Sequence, residues 1–484
     1  MSSSSLYPDS ALALAAEYGQ AYRGRTRPVG PSASTDALRE KFCIELTDRG
    51  PPAAAVIQEL IAAAEPGLVG NTDPNFYAWV MGGSDPVGVA ADWLSAIWGQ
   101  NAAIYQSSPA AAIAEEAVEA WLLELLDLPR DSSVGFVSGA TTAAFVGLAA
   151  ARGEVLRRAG HDIDRDGLQR APLVRIYLSE DAHVTNYVVL RQLGFGEANF
   201  HRLSCDAAGL MDAADLDEAM AGHDGPKIVL AQAGHINSGG FESLEAIAEI
   251  AQANNAWMHI DGAFGLWARA LKRKKHLAKG AELADSWSVD GHKWLQIPYD
   301  SGFAIVRHKE AHFRAMQKSA GYLNVAPNEG RTPSNWVPGL SRRAQGFAAW
   351  AVIRSLGRAG VAELIDRHCN SASLLKRRIE CIDGLSVLNK VDLNQLVIGS
   401  NADAGEDWKI TALADRLTSN HPVFLKTAEW NGRTVLRISI ISRDTRREHA
   451  EALAVAIKSE WELLRNLMSK ESISHSLQRS HTLV

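Results

Sequence analysis

Cysteine is scarce in this chain and scattered: Cys43, Cys205, Cys369 and Cys381 lie far apart, and no CxxC pair occurs. That spacing argues against a disulfide framework and a zinc knuckle and fits reduced thiols in the cytoplasm. Long apolar runs are missing too. No uncharged stretch reaches the roughly 18 residues that a membrane helix needs. The polar start MSSSSLYPDS has neither the basic nor the apolar region of a secretory signal. Positive charge is not in excess: 49 Lys and Arg stand against 56 Asp and Glu, a net charge of −7. Neither nucleic acid nor a membrane surface is therefore an expected partner. The one basic cluster, KRKKH at 272–276, reads as a solvated helix face. The expectation is a cytoplasmic protein with no metal centre.

What is present is ordinary globular composition, 46% hydrophobic and 22% charged over 484 residues, long enough for more than one domain. Residues 1–92 read as helices joined by Pro/Gly-rich connections such as PVGPSAS and GLVGNTDPN. From 93 to 356 short apolar runs alternate with helical stretches: VGFV, VRIYL, KIVLAQ, AWMHI, SWSV and GFAIV. Such alternation predicts an α/β domain with a mostly parallel central sheet flanked by helices. Residues 357–484 change character: a long helical pattern, then LSVLNK, NQLVIGS and TVLRISI, a final helix and a polar tail. That pattern predicts a small α+β domain.

Ligands of open parallel sheets bind beyond the carboxyl ends of the strands, so the residues following each run are informative. SGATT follows VGFV and opens a helix, whose free N–H groups and dipole suit a phosphate. SEDAH follows VRIYL and puts His183 past a strand end, to stack on a flat ligand or to serve as a loop histidine. Asp261 follows AWMHI; a carboxylate there wants a cation, an N-cap or a salt bridge. DGHK follows SWSV, and the Trp294, Leu295 and Ile297 that come next place Lys293 near apolar walls. A desolvated lysine is a nucleophile. Taken singly, each feature has a structural explanation. Together they describe an anion, a flat ring, a cationic ring nitrogen and an aldehyde, which is pyridoxal 5′-phosphate.

SGATTAAF, SEDAHVTNY, HIDGAFG and DSWSVDGHKWLQIPYDSG resemble the successive cofactor motifs of the pyridoxal-phosphate-dependent amino-acid decarboxylases, the group II family of aromatic-L-amino-acid and glutamate decarboxylases. DPNFYAWVMGGSD, SSPA and NWVPGLSRRAQGFAAWAVIRSLG extend the likeness over about residues 40 to 460. The resemblance implies fold type I and a homodimer clasped by the N-terminal helices, with the active site at the interface. It implies that Lys293 binds the cofactor aldehyde, Asp261 pairs with the ring nitrogen and His183 stacks on the ring. Ala140, Thr141 and His292 would meet the phosphate, Ala263 would pack under the ring, and Asn237 would make a polar contact nearby. The reaction implied is loss of CO2 from an L-amino acid to leave the amine. Trp79, Trp98 and Tyr105 near the entrance suit a hydrophobic or aromatic side chain.

The pattern is broken at one place. Where the family carries a loop tyrosine that protonates the substrate carbon, this chain has Pro333 and Ser334. The resemblance then leaves open His183 or water as proton donor, or oxidative deamination to an aldehyde. Asp290 stands where many members have asparagine, so no phosphate contact is expected there. Arg437 is expected to structure the small domain. Three rivals remain: an aminotransferase or lyase on the same scaffold, a metalloenzyme using His259 and Asp261, and a non-catalytic relative.

Overall fold

KIVLAQ shows how the chain builds its main sheet. Every residue is buried, yet Ile228 and Leu230 join one core cluster while Val229 and Ala231 join another. Successive side chains of a strand point to opposite faces, so a run apolar at every position is a strand covered on both sides. The computed structural model describes residues 9–24, 29–318, 330–401 and 407–480. Among these, seven strands form the large sheet: β1 (Ser133–Val137), β2 (Arg175–Ser179), β3 (Phe200–Leu203), β4 (Lys227–Gln232), β5 (Trp257–Asp261), β6 (Ser286–Asp290) and β7 (Gly302–Val306). Their order is β1-β7-β6-β5-β4-β2-β3. Only β7 runs antiparallel to its neighbours, so the other six strands present their carboxyl ends along one edge.

The helix Ala140–Arg158 covers one face, burying Ala144, Leu148, Ala151 and Val155 against Ile176, Ile228 and Trp257. The helices Pro109–Leu125, Leu244–Ala253 and Gln345–Ile379 lie over the other face, around Phe136, Met258, Trp287 and Phe303. Gln345–Ile379 breaks at Gly357 (φ 60°, ψ 178°), a conformation open to glycine. That break lies where the change of sequence character divides the large from the small domain. The helix Pro86–Ile97 runs without interruption through residue 92, the other expected boundary.

A second sheet, order β10-β11-β9-β8, is wholly antiparallel: β8 (Leu385–Val387), β9 (Gln395–Ser400), β10 (Lys426–Trp430) and β11 (Arg433–Ser439). Leu396, Ile398, Leu436 and Ile438 pack there against Leu413, Leu417 and Ile457. KRKKH is exposed at four of its five positions, as expected of a solvated run, though it lies on a turn and a 3₁₀ segment rather than a regular helix. Arg273 pairs with Asp366, Lys274 donates to the Asp392 carbonyl, and Lys275 pairs with Asp127 at 2.5 Å.

Glu115, 1% exposed, is held by Arg342 at 2.6 Å, which also donates to the carbonyls of Phe136 and Ala102. Burial pushes the Glu115 carboxyl up, and Arg342 pulls it back down. Removing one partner of such a pair costs far more than removing both. Arg342→Met is therefore expected to lower stability in urea unfolding by about 3–5 kcal/mol. Adding Glu115→Leu should recover at least half of that loss.

Candidate active site

Residue parity decides what reaches the edge of the sheet. Trp257 packs on the Ala140–Arg158 face, so His259 and Asp261 point that way; Trp287 and Val289 pack on the opposite face, so Asp290 points toward that helix too. Gln232 follows Ile228 and Leu230 onto the same side. Register aligns Gln232 with Asp261, and Asp261 with Ser288. Three polar side chains thus converge above the helix N-terminus. They border a cavity of about 330 Å³ whose wall also carries Ala140, Thr141, His183, Ala263, His292 and Lys293. That volume is in the range of small-molecule sites.

Asp261 takes two neutral donors. Asn186 Nδ2 donates to Oδ2 at 3.0 Å and the Ala263 N–H to Oδ1 at 3.2 Å. Among the described residues no cationic side chain lies within ion-pair distance of it. Asn186, in the first turn of the helix Val184–Gln192, escaped the sequence reading because an asparagine there looks like any helix-start residue.

Lys293 departs from expectation. Trp294, Leu295 and Ile297 are buried, but they pack into the core. The ammonium instead meets a carboxylate: Nζ lies 3.1 Å from Asp290 Oδ2, with the Phe264 ring 5.9 Å away. Gln296 fixes the lysine backbone, donating from Nε2 to the carbonyls of Lys293 and Ile441, both at 2.7 Å, and accepting the Gly83 N–H at Oε1. Gly82 admits no Cβ, since one would lie 2.1 Å from the Lys293 carbonyl oxygen.

The helix Ala140–Arg158 has no side-chain cap of its own. Asp290 supplies one from β6, its Oδ1 accepting the Ala140 N–H at 2.5 Å. Asp290, set aside on sequence grounds, is thus the hub joining Ala140, Lys293 and His292. His292 accepts the Ser301 N–H at Nδ1, which puts its own proton on Nε2, 3.4 Å from Asp290 Oδ1. Its ring stacks on Tyr299 at 4.4 Å. His183 caps the helix Val184–Gln192, and its Nδ1 is held by the N–H and hydroxyl of Thr185. Burial lowers the proton affinity of both imidazoles, and nearby carboxylates offset part of that effect. Both are neutral, with the proton on Nε2.

Other expected residues fall elsewhere. Asn237 is buried off the cavity wall, where its Oδ1 accepts from Arg437 Nη1 at 3.0 Å. Arg437 therefore reaches toward the site from β11. His259 is fully buried with Nδ1 2.8 Å from Ser286 Oγ, and is also off the wall. Trp79, Trp98 and Tyr105 do not line the cavity of their own chain. Trp79 packs on Phe76 and Phe424, and Trp98 on Phe347, while much of each indole stays exposed. Pro333 and Ser334 are buried in a 3₁₀ turn, Pro333–Trp336. Lys318 pins the Ser334 and Val337 carbonyls at 2.5 and 2.7 Å, and Arg331 stacks on Trp336. Residues 319–329, including Asn324, lie outside the described residues.

Behind Gln232 sits Glu242, which accepts the Gln232 N–H at 2.8 Å. Burial, with a smaller contribution from Asp261, pushes its carboxyl up to about 8 from 4.5. The unfolded chain releases this proton first, so the neutral form stabilises the fold fully below about 4.5, and that contribution is lost as pH rises to about 8. Measured against Glu242→Gln, wild-type stability should fall by up to ~1.4 kcal/mol per pH unit over that window and run parallel above it.

A primary amine, a half-buried carboxylate lacking a cation and a helix N-terminus facing one cavity fit a phosphorylated pyridine aldehyde. Known proteins agree. Rice (Oryza sativa subsp. japonica) tryptophan decarboxylase 1 is 26% identical over 90% of this chain and 88% of its own length. The 4-hydroxyphenylacetaldehyde synthase of Rhodiola rosea is 26% identical over 88% of this chain and 89% of its own. The crystal structure of Oryza sativa TDC with PLP and tryptamine superposes with a TM-score of 0.88 at 24% identity, covering 95% of this chain and 99% of that one. The pyridoxal-dependent decarboxylase conserved domain matches residues 37–397, which include the whole cavity wall. The chain belongs to the pyridoxal-dependent decarboxylase family.

Proposed function

We propose that this pyridoxal-phosphate-dependent amino-acid decarboxylase acts on an aromatic L-amino acid and releases the amine and CO2. One observation carries the reading: Lys293 and Asp261 face the same cavity from the ends of adjacent strands, the first an amine, the second an anion without a cation. Relatives named for tryptophan and for a hydroxyphenyl aldehyde support an aromatic substrate, as does the Phe264 and Ile236 wall.

Pyridoxal phosphate supplies an aldehyde and a π system that accepts the electron pair left when the Cα–carboxylate bond breaks. Lys293 provides the amine that tethers it and that the substrate displaces. Asp261 would hold a proton on the ring nitrogen; its two neutral hydrogen bonds orient it without neutralising it. His183 would stack on the ring, its tautomer set by Thr185. The first turn at Ala140 and Thr141 would receive the phosphate, with His292 Nε2–H as a further donor, and Ala263 would leave room for the ring. Asn237 acts at one remove, through Arg437.

Assembly as a homodimer is part of the proposal. Leu94, Ile97 and Trp98 on and just after the helix Pro86–Ile97, and Trp350, are 42–63% exposed, a patch that water leaves uncompensated. A second copy seated there would bring entrance aromatics toward a neighbouring cavity. The division at 92 and 356, and a cytoplasmic location, belong to the same reading; no helix among the described residues is long and apolar enough to cross a membrane.

A second reading concerns the product. The buried, pinned Pro333 has no acidic proton to give. His183 or water then protonates Cα, or dioxygen intervenes: amino acid, O2 and water yield aldehyde, CO2, ammonia and hydrogen peroxide. Incubation with aromatic amino acids and joint measurement of amine, aldehyde, CO2 and peroxide separates these outcomes. Amine and CO2 in equal amounts without peroxide are expected; aldehyde with equimolar peroxide would replace the amine assignment, and no CO2 would overturn both.

Borohydride reduction of the holo-protein should add the pyridoxyl phosphate mass to the peptide carrying Lys293, and Lys293→Ala should abolish the adduct. Asp261→Asn should retain cofactor while turnover falls by about 10²–10³.

A further inference from the structure

We propose that Asp290 makes capture of the cofactor phosphate proton-linked: its carboxylate holds the Ala140 N–H and the Lys293 ammonium, and it takes up a proton when a phosphate dianion docks at that helix N-terminus. This rests on the cavity being the pyridoxal phosphate site. The geometry carries it in three steps.

The helix N-terminus is an anion site, and it already has an anion. Asp290 Oδ1 lies 2.5 Å from the Ala140 nitrogen, and Asp290 is 3% exposed. A dianion brought alongside a buried carboxylate faces the repulsion that keeps two close carboxyls from ionising together.

The neighbouring groups leave Asp290 as the acceptor of the compensating proton. His292 spends Nδ1 on the Ser301 N–H and already carries its proton on Nε2, so a second proton would break that bond. Tyr299, stacked on His292, is pushed up to about 12 by burial and stays neutral. His183 spends Nδ1 on Thr185, while Asp300 and Asp261 add only negative charge. Lys293 is the cation in contact with Asp290, whose Oδ2 already takes it at 3.1 Å, while Arg437 is engaged with Asn237 and acts on His183.

Protonation resolves the conflict in one move. A proton from solvent on Oδ2 turns Asp290 into a donor to a phosphate oxygen, leaves Oδ1 on the Ala140 N–H, and frees Lys293 from its ion partner. Asparagine would donate and accept the same bonds with no proton required. The chain therefore gains pH sensitivity in cofactor retention from a single side chain.

The test uses cofactor-free full-length protein and pyridoxine 5′-phosphate, which cannot react with Lys293. Above about pH 7 the free phosphate is already a dianion, and any proton gained by the ring nitrogen beside Asp261 is common to both proteins and both ligands, so the differences between them report Asp290. Calorimetric titration in buffers of different ionisation enthalpy should show wild type taking up about one proton more than Asp290→Asn. From about pH 7 to about pH 9 wild-type affinity should fall more steeply than the variant's, by up to a further tenfold per unit. Unphosphorylated pyridoxine, tested on wild type alone, should bind with about one proton less taken up, a comparison that needs no variant to fold. Equal uptake by wild type and variant, or by phosphorylated and unphosphorylated ligand, sinks the Asp290 proposal and leaves the cofactor assignment standing. If neither pyridoxine phosphate nor pyridoxal phosphate binds wild type, the cofactor assignment itself falls, and this inference with it.

Discussion

Taking a carboxylate out of water costs several kcal/mol unless a cation compensates. Asp261 has only an asparagine amide and a backbone N–H. The surroundings fix where it sits: β5 ends with Asp261, half-buried, on the face of the helix Ala140–Arg158, in register with Gln232 on β4 and Ser288 on β6. Glu242, one layer behind, is pushed up to about 8 chiefly by its own burial. Among the described residues no cationic side chain pairs with Asp261, so its carboxylate is open to the cation that a protonated pyridine provides.

The opposite solution holds a few ångströms away. At Asp290 the same physics is satisfied by a helix N-terminus and an ammonium. The site therefore contains one open anion and one closed anion, and the difference between them lies in strand parity and the position of a single helix. A ligand with a cationic ring at one end and a phosphate at the other completes the first and disturbs the second.

Much of this could be read from residues alone, and the misses share a cause. Runs such as KIVLAQ and GFAIV identify themselves because both faces of a central strand are apolar. FHRL and KTAEW do not, because β3 and β10 are edge strands with exposed positions. The cavity-lining positions Lys293, His183 and Thr141 follow from strand ends, since an open parallel sheet leaves one edge for ligands. Asp290 and Asn186 were invisible because their importance is purely relational: one caps a helix 150 residues earlier, the other bonds a carboxylate 75 residues later. Asn237 and the aromatic trio lie off the wall of their own chain's cavity for the converse reason, as motif position says little about which way a loop side chain turns.

The two halves of the chemistry rest on different parts of the fold. The groups proposed to hold the ring, the phosphate and the amine sit at strand ends or helix starts tied into the sheet, and Gln296 ties the lysine turn to Ile441 and Arg443. Cleavage of the Cα–carboxylate bond depends on this rigid set. The fate of the carbon afterwards depends on whatever proton donor reaches it, and the segment at Pro333 is anchored elsewhere, by Lys318, Arg331 and the Ala103 carbonyl. Pro333 and Ser334 are not on the wall of the cavity that carries Lys293 and Asp261. A scaffold divided in this way can keep the first step fixed while its product diverges, in keeping with a family whose members include one named a tryptophan decarboxylase and one named a 4-hydroxyphenylacetaldehyde synthase.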